Sequence, residues 1–288
     1  MIPQSALGAD LGCRVIEVDK RWILSFAAGI GSAAPIYLDD ARPGGIVAPA
    51  TFTVALEWPT LMSTAYLGAI GRDETSAFDD LVHGFQDSRF HRPIRPGDRL
   101  AVSGRIVGVQ QTRAGTLVTT RIATVDAADG APVAEGWFGA LYRGVETDGP
   151  GGCVAELPAL RAERGVPHAI TRQTIGIPRG QAHIYTECAR IWNPLHTERA
   201  FALAAGLPDI ILHGTCTWAM ALQRLIDRHR ADRPMPLLRA ATRFTRMVIP
   251  GTTVVLEHAP PDRDGFIAFA VQNDAAEIAL GHALAVLA

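Results

Sequence analysis

The chain has 288 residues, of which 48% are hydrophobic and 19% are charged, and its 27 basic and 29 acidic side chains give a net charge of −2. This composition excludes a disordered chain and a highly charged coiled coil, and it leaves no basic excess for binding nucleic acid. The amino terminus lacks a signal-peptide pattern, no apolar run reaches the ~18 residues of a membrane span, and the four cysteines form no CxxC pair. We therefore expect a cytoplasmic protein with reduced thiols, bound to neither nucleic acid nor membrane.

The first half of the chain predicts one helix followed by three strands. Its helical segment, ATFTVALEWP, is interrupted by Pro59, so this helix is expected to be short or kinked. The histidines that follow, His83 and His91, fall in a segment that is interpreted as a loop. Three segments rich in β-branched residues then predict an antiparallel meander over 100–112, 115–127 and 132–143.

The second half of the chain predicts the same order with a longer helix. Over 215–229 the apolar residues follow the spacing of one buried helix face; they are Trp218, Ala221, Leu222, Leu225 and Ile226. Three further strands separated by polar turns are predicted over 252–259, 266–273 and 277–288. The helix therefore packs against a second antiparallel meander.

Three features of the first half recur in the second half in the same order. APIY (34–37), IVAPATFTVAL (46–56) and RPIRPGDRLAV (92–102) match NPLH (193–196), ILHGTCTWAMAL (211–222) and RMVIPGTTVVL (246–256), at offsets of 159, 165 and 154 residues. Such similar offsets predict a duplicated domain, and the Gly- and Pro-rich segment between the halves predicts its boundary. We expect repeats over 1–145 and 161–288, a linker over 146–160, and an α+β fold with helices on one face of antiparallel sheet.

The segment from Tyr185 to Thr217 contains the candidate chemistry. Asn193 and Pro194 predict a turn that presents His196, with Thr197 as the cap of a short helix. The backbone N–H groups of Gly214 and Thr215 would begin the long helix and could bind a developing oxyanion. These residues equally allow a purely structural role, with His196 capping a helix and Gly214 serving close packing. The nine histidines do not fall at metal-binding spacings, so no metal is expected.

The segment NPLHTERAFALAAGLPDIILHG resembles the signature of the MaoC-like or R-specific enoyl-CoA hydratase family. The residues that carry the resemblance are Tyr185, Asn193, Pro194, Leu195, His196, Phe201, Ala202, Gly206, His213 and Gly214. The resemblance implies a double hotdog fold, in which two antiparallel sheets each wrap a central helix. It also implies that the first repeat is degenerate and accommodates the acyl chain, since Tyr37 and Pro49 stand where the second repeat has His196 and Gly214.

The activity implied by the resemblance is reversible hydration of a trans-2-enoyl thioester, or dehydration of a (3R)-3-hydroxyacyl thioester. His196 would be the acid–base, Gly214 the oxyanion donor and Asn193 an orienting group, with Glu198 as a further candidate catalytic residue. The expected substrate contacts are Tyr185, His213, Thr215, Arg190 and His83. The thioester of CoA or of an acyl-carrier protein is the expected partner, no other cofactor is expected, and a homodimer is predicted because symmetric dimers are the commonest assembly.

One departure from the family signature leaves the mechanism open. The position of the family's catalytic aspartate is occupied by Ile191, which can neither orient water nor carry a proton. Another carboxylate could replace it, from Glu187, Glu198 or Asp87. Alternatively, His196 acts alone on a different thioester, with Arg190 meeting a substrate carboxylate, or the chain binds acyl thioesters without turnover. A hotdog thioesterase, which would direct water to the carbonyl carbon, is a further alternative.

Overall fold

The computed structural model describes residues 1–155, 157–158 and 170–288. The α-helices are α1 (Lys20–Gly29), α2 (Pro35–Leu38), α3 (Thr53–Leu61), α4 (Thr64–Ala69), α5 (Gln181–Ala189), α6 (Arg199–Ala204) and α7 (Gly214–His229). The strands are β1 (Asp10–Glu17), β2 (Leu81–Phe90), β3 (Arg99–Thr112), β4 (Gly115–Asp126), β5 (Pro132–Arg143), β6 (Gly152–Cys153), β7 (Thr171–Gly176), β8 (Leu237–Phe244), β9 (Thr253–His258), β10 (Phe266–Gln272) and β11 (Ile278–Leu287). Both predicted meanders are confirmed, because their strands are β3–β5 and β9–β11.

The strands of the described residues form one sheet in the order β1-β3-β4-β5-β2-β8-β11-β10-β9-β7, with β6 beside β3. All of these strand pairs are antiparallel, and the two half-sheets join through the pair of β2 and β8. At the centre of that pair Asp87 lies opposite Ala241. The offset of 154 residues also relates these two positions, so the junction coincides with the local two-fold axis of the duplicated fold.

Each half-sheet packs against one helix. In the second half, α7 packs on β11 and buries the apolar face that its sequence predicts, including Trp218 and Leu222. In the first half, α3 packs on β3 and β5. It has 9 residues against the 16 of α7 and contains Pro59 within it, which confirms the shorter helix. None of the helices in the described part of the chain is long and apolar enough to span a membrane.

Two local predictions are wrong. His83 lies within strand β2 and not in a loop; this strand has neighbours on both sides and is largely buried on both faces, so it lacks the alternation that marks a half-exposed strand. The cap of helix α6 is Glu198 and not Thr197, and the Glu198 side chain makes no capping hydrogen bond.

Part of the predicted linker pairs with the first half-sheet. Strand β6 lies against β3, and Thr147 forms an isolated bridge with Ile2. Residues 156 and 159–160 of the predicted linker, and 161–169 of the predicted second repeat, lie outside the described residues. The repeat boundaries therefore stay a prediction.

Candidate active site

A cavity of about 570 Å³ receives side chains from both halves of the chain. Its lining includes Glu57, His83, Gln86 and Phe138 from the first half, and Ile191, Asn193, His196, His213, Gly214 and Thr215 from the second half. The volume lies in the usual range for small-molecule sites. Within the described ranges, no group of three or more histidine, cysteine, aspartate or glutamate side chains is placed to hold a metal ion.

A short turn holds His196 at the cavity. Asn193 has extended backbone because Pro194 follows it, and its side-chain oxygen accepts a hydrogen bond of 3.0 Å from the Leu195 N–H. Residues Pro194–His196 then form one turn of 3-10 helix. The Asn193 amide nitrogen bonds to no described residue, so it is available to a water or a ligand.

The hydrogen bonding of His196 defines its tautomer. Its Nδ1 lies 2.8 Å from the carbonyl oxygen of Ile211, which can only accept, so Nδ1 carries the proton and Nε2 carries the lone pair. Nε2 has no partner among the described residues. Burial lowers the pKa of His196 to about 4, with the bond to Ile211 opposing the shift. His196 is therefore a neutral base at physiological pH, with its free nitrogen available in the cavity.

His213 packs against His196 and fixes the neighbouring turn. The two imidazole rings stack with centroids 3.6 Å apart. His213 Nε2 lies 3.2 Å from the carbonyl oxygen of Ile191 and 3.2 Å from Thr186 Oγ1, so it donates toward the Ile191 carbonyl. Its Nδ1 is buried without a hydrogen-bond partner in the part of the chain that the structure describes. Burial first, and then the nearby His196, hold the pKa of His213 well below its usual value.

The amino-terminal turn of α7 offers free backbone donors to the same cavity. Cys216 and Thr217 direct their N–H groups to the carbonyl oxygen of His213. Gly214 and Thr215 have no such acceptor among the described residues, and both line the cavity. Gly214 is required by space, because a Cβ there would lie 2.6 Å from the ring of Phe244. These two N–H groups can bind an anionic oxygen.

The carboxylates proposed to replace the missing aspartate do not reach the cavity. Ile191 lines it with its own side chain, whereas Glu198 and Glu187 are exposed to solvent. Asp87 is fully buried in the β2–β8 junction, where Arg239 donates to both of its oxygens at 3.0 and 2.5 Å. The structure therefore places Glu198 away from the cavity, because its backbone caps α6 and its carboxylate faces water.

Arg190 and Tyr185 also lie outside the cavity lining. Arg190 takes the left-handed conformation that ends α5 (φ 57°), and its guanidinium lies 4.1 Å from the Trp22 ring and 3.2 Å from Asp19. It therefore packs against α1, away from the cavity lining. The buried Tyr185 ring lies edge-on to His213 at 5.1 Å, so it packs behind that imidazole and outside the cavity lining.

The first half contributes three titratable residues to the cavity, which are Glu57, His83 and Arg143. His83 lines it between the rings of Phe138 and Phe244, at 4.0 and 4.3 Å. Glu57, on α3, also lines it and is 2% exposed, with Oε2 accepting a 3.0 Å hydrogen bond from Gln86 Nε2. No local sequence pattern marks Glu57 as a site residue. The 165-residue offset could have indicated that Glu57 is buried, because it aligns this glutamate with Leu222 in the buried face of α7.

Comparison with solved structures identifies the architecture. A MaoC-like dehydratase from Phytophthora capsici superposes with a TM-score of 0.82 at 20% identity, over 98% of this chain and 96% of that chain. A Mycobacterium tuberculosis protein described as having a double hotdog fold superposes with a TM-score of 0.59 at 16% identity, over 98% and 96%. These likenesses confirm the double hotdog fold expected from the sequence.

Comparison with known sequences identifies the family. Residues 5–136 match the family described as FAS1-like, dehydratase domain region, and residues 163–268 match the MaoC like domain. Probable enoyl-CoA hydratase 2 of Dictyostelium discoideum is 27% identical over 62% of this chain and 60% of the relative. The 3-hydroxyacyl-thioester dehydratase Y of Mycobacterium tuberculosis is 32% identical over 96% of this chain and 94% of the relative. Because that likeness extends over nearly the whole of both proteins, the chain belongs to the MaoC-like hotdog dehydratase family.

Proposed function

We propose that this protein adds water reversibly to trans-2-enoyl thioesters, and in the reverse direction dehydrates (3R)-3-hydroxyacyl thioesters. The single observation that carries the proposal is the pairing of a base with an oxyanion site in one cavity. His196 presents an unprotonated Nε2, its ring stacks on His213, and the free N–H of Gly214 follows directly in the chain. The names of the dehydratase and hydratase relatives support the same reaction class.

The geometry supports a sequence of steps in which His196 is the proton carrier. The thioester oxygen accepts from the N–H groups of Gly214 and Thr215. Nε2 of His196 takes a proton from water as the water oxygen bonds to C3, and the π electrons of the C2–C3 double bond move toward the thioester oxygen as an enolate. The enolate then collapses, and C2 takes the proton from His196. Every atom of the added water therefore ends on the product, and no residue at position 191 has to carry a proton.

The proposal includes the partner and the assembly of the chain. The thioester would belong to CoA or to an acyl-carrier protein, and the steps above require no other cofactor. A homodimer is supported by the sheet itself, because β1 and β7 end its strand order and leave edges that another copy could cover. Sedimentation of the purified protein would test the dimer. We propose a cytoplasmic location on the basis of composition and the unpaired cysteines.

The experiment that tests the reaction follows loss of the conjugated thioester absorbance with crotonyl-CoA and trans-2-octenoyl-CoA. His196→Ala should lower the rate by about 10²-fold or more, because the general base is lost. Glu198→Gln is the matched control, since its exposed carboxylate lies outside the cavity, and it should retain the wild-type rate. Turnover that survives in His196→Ala would contradict the mechanism.

One observation favours a second candidate function. Ile191 places a hydrocarbon side chain where the family signature has a carboxylate, which suits a subunit that binds acyl thioesters without turnover. Tight binding of octanoyl-CoA without hydration of either enoyl-CoA would establish that alternative. Free thiol is measured in the same reactions, because its release would instead identify a thioesterase.

A further inference from the structure

A cluster of three polar side chains lies in the cavity wall that the first half contributes. It consists of Glu57, His83 and Gln86, and we call it the first-half polar cluster. Glu57 and Gln86 are 2% and 0% exposed, and they join through the 3.0 Å hydrogen bond between Glu57 Oε2 and Gln86 Nε2. Gln86 Nε2 also donates to Ser88 Oγ at 3.1 Å. The mechanism proposed above uses none of these residues.

The hydrogen-bonding capacity of the cluster is only partly used. Gln86 Oε1 and His83 Nε2 are buried with no hydrogen-bond partner among the described residues. Glu57 Oε1 likewise bonds to no described residue, and no described cation pairs with this carboxyl group. A buried polar group without a partner costs about 1–3 kcal/mol. These two buried unpartnered atoms, together with the unpaired Glu57 Oε1, lie at one wall of a ligand cavity and indicate a polar group on the ligand.

The fold makes room for the Glu57 carboxyl group. Gly136 on β5 lies directly against Glu57 Oε1, and a Cβ at that position would collide with the carboxyl group. A larger residue at 136 would therefore displace Glu57 from this wall. The glycine backbone of β5 and the buried side chain of Glu57 therefore fit each other closely at this wall.

The second half of the chain shows that the fold does not need polar residues at these positions. The offset of 165 residues aligns Glu57 with Leu222. The offset of 154 residues, which the β2–β8 pairing supports, aligns His83 with Leu237 and Gln86 with Ala240. All three counterparts are buried and apolar. The polar cluster therefore occurs only in the half that lacks His196. Because the fold does not require it, we attribute it to binding of a polar group on the ligand.

The charge state of the cluster limits what it can bind. Burial raises the pKa of Glu57 to about 8, opposed by the hydrogen bond from Gln86, so the group is mainly a neutral carboxylic acid at pH 7. Because Oε2 accepts from Gln86, the proton belongs on Oε1, which becomes a donor. Burial also keeps His83 neutral and lowers its pKa to about 3, opposed by the neighbouring Phe85 backbone and Gln86 side chain. The cluster thus offers a donor on Glu57 and an acceptor on Gln86, without net charge.

We infer that the first-half polar cluster binds a hydroxyl group on the acyl chain, remote from the thioester, and so selects oxygenated acyl thioesters over plain ones. A hydroxyl group both donates and accepts, which matches Glu57 Oε1 and Gln86 Oε1 together. The cluster itself carries no positive charge that would pair with a distal carboxylate, although the cavity lining also includes Arg143 and Arg246. This inference deepens the proposed function and rests on it for the identity of the thioester.

The experiment measures binding, so that it does not depend on turnover. Isothermal titration compares octanoyl-CoA with hydroxyoctanoyl-CoA isomers in which the hydroxyl group moves from C5 to the terminal carbon. In the wild type at least one isomer should bind about tenfold or more tightly than octanoyl-CoA. Glu57→Leu, which installs the residue of the second repeat, should abolish that preference and tighten octanoyl-CoA binding. Glu57→Gln should keep the preference within a few-fold, because the amide still donates.

Controls separate this inference from a folding defect and from the reaction itself. Thermal unfolding verifies each variant, and Gln86→Ala provides a second test of the cluster if Glu57→Leu does not fold. Glu198→Gln is the matched carboxyl-to-amide control and should bind like the wild type. Equal binding of all isomers by the wild type, or an unchanged preference in Glu57→Leu, would overturn the inference. Hydration of octenoyl-CoA that depends on His196 would leave the proposed function standing in that case.

Discussion

The imidazole rings of His196 and His213 stack at 3.6 Å although helix α6 separates them in the chain. Protonation of either ring would place a buried positive charge against the other. Burial favours the neutral form of both residues, and the nearby His196 lowers the pKa of His213 further. The pair is a neutral unit whose free nitrogen, Nε2 of His196, can act as a base.

The first prediction concerns the pH dependence of hydration. Because the pKa of His196 is lowered to about 4, kcat/KM for crotonyl-CoA should stay level as pH falls from 7 through 6. The acidic limb should appear near pH 4, below the ordinary histidine value of about 6.5. Rate measurements across this range, with stability verified at each pH, test it. A limb near pH 6.5 would show that water reaches His196 freely and would contradict the buried, neutral base.

The second prediction restores the carboxylate of the family signature. Ile191→Asp places an acid in the cavity beside His196, and we expect kcat for hydration to rise about tenfold or more. The same carboxylate should raise the pKa of His196 and so move the acidic limb upward. Ile191→Asn is the control, since it is similarly polar and cannot transfer a proton at neutral pH. Equal rates for the two variants would show that His196 alone supplies the proton transfers.

The third prediction tests the oxyanion donor. Gly214→Ala introduces a Cβ that would lie 2.6 Å from the Phe244 ring, so the first turn of α7 must shift. Loss of one well-placed donor should lower kcat by about 10²-fold, with a smaller change in KM. Gly176→Ala is the matched control, because a Cβ there meets no atom within 4 Å. Wild-type kcat in Gly214→Ala would mean that the thioester oxygen binds elsewhere.

The fourth prediction is that Arg190 contributes to stability and not to substrate binding. Arg190→Ala should leave kcat/KM unchanged for both plain and dicarboxylic enoyl-CoAs, while lowering the free energy of unfolding by about 1 kcal/mol through loss of the Trp22 contact. Arg190→Gly should lose less, because glycine adopts the left-handed conformation of this position without strain. Denaturant titration provides the free energies. A raised KM for the dicarboxylic substrate in Arg190→Ala would show that Arg190 does bind the substrate carboxylate.

The fifth prediction is a pH dependence of stability from Glu57. Its pKa in the folded protein, about 8, lies above the value near 4.5 in the unfolded chain, so the folded state binds the proton more tightly. The stabilisation is complete below pH 4.5 and is lost as pH rises through 8, with a slope of at most about 1.4 kcal/mol per pH unit. Glu57→Gln cannot ionise, and its unfolding free energy should decline less over this range. Parallel curves for the two proteins would mean that Glu57 is already ionised at neutral pH.

The sequence predicted the elements whose pattern is local. Helix α7 follows from its apolar spacing and the two meanders from their β-branched runs between turns. Strand β2 was missed because its burial on both faces removes the alternation of a half-exposed strand, and His83 was consequently placed in a loop. Arg190 was assigned to the substrate because the Trp22 ring that binds it belongs to the distant helix α1.

The site was predicted in part for similar reasons. The turn at His196 and the start of α7 at Gly214 are local, and the cavity contains both. The stacking of His196 on His213 depends on how the chain folds back after α6, and the spacing of residues in the sequence does not indicate this. Glu57 was missed because a glutamate within a helix is usually solvated. Its alignment with Leu222 was the available sign that this one is buried.

The join between β2 and β8 has a consequence for how such a protein can diversify. In an assembly of two identical single-hotdog chains, every substitution would appear twice, once beside the reacting carbon and once along the acyl chain. Here the two walls of the cavity are encoded separately, so a substitution at Glu57 does not change the equivalent residue, Leu222. Substrate preference can therefore change through substitutions in the first half, while the helix that begins at Gly214 stays unchanged. Because the two halves have different sequences, one of them can specialise in binding the acyl chain.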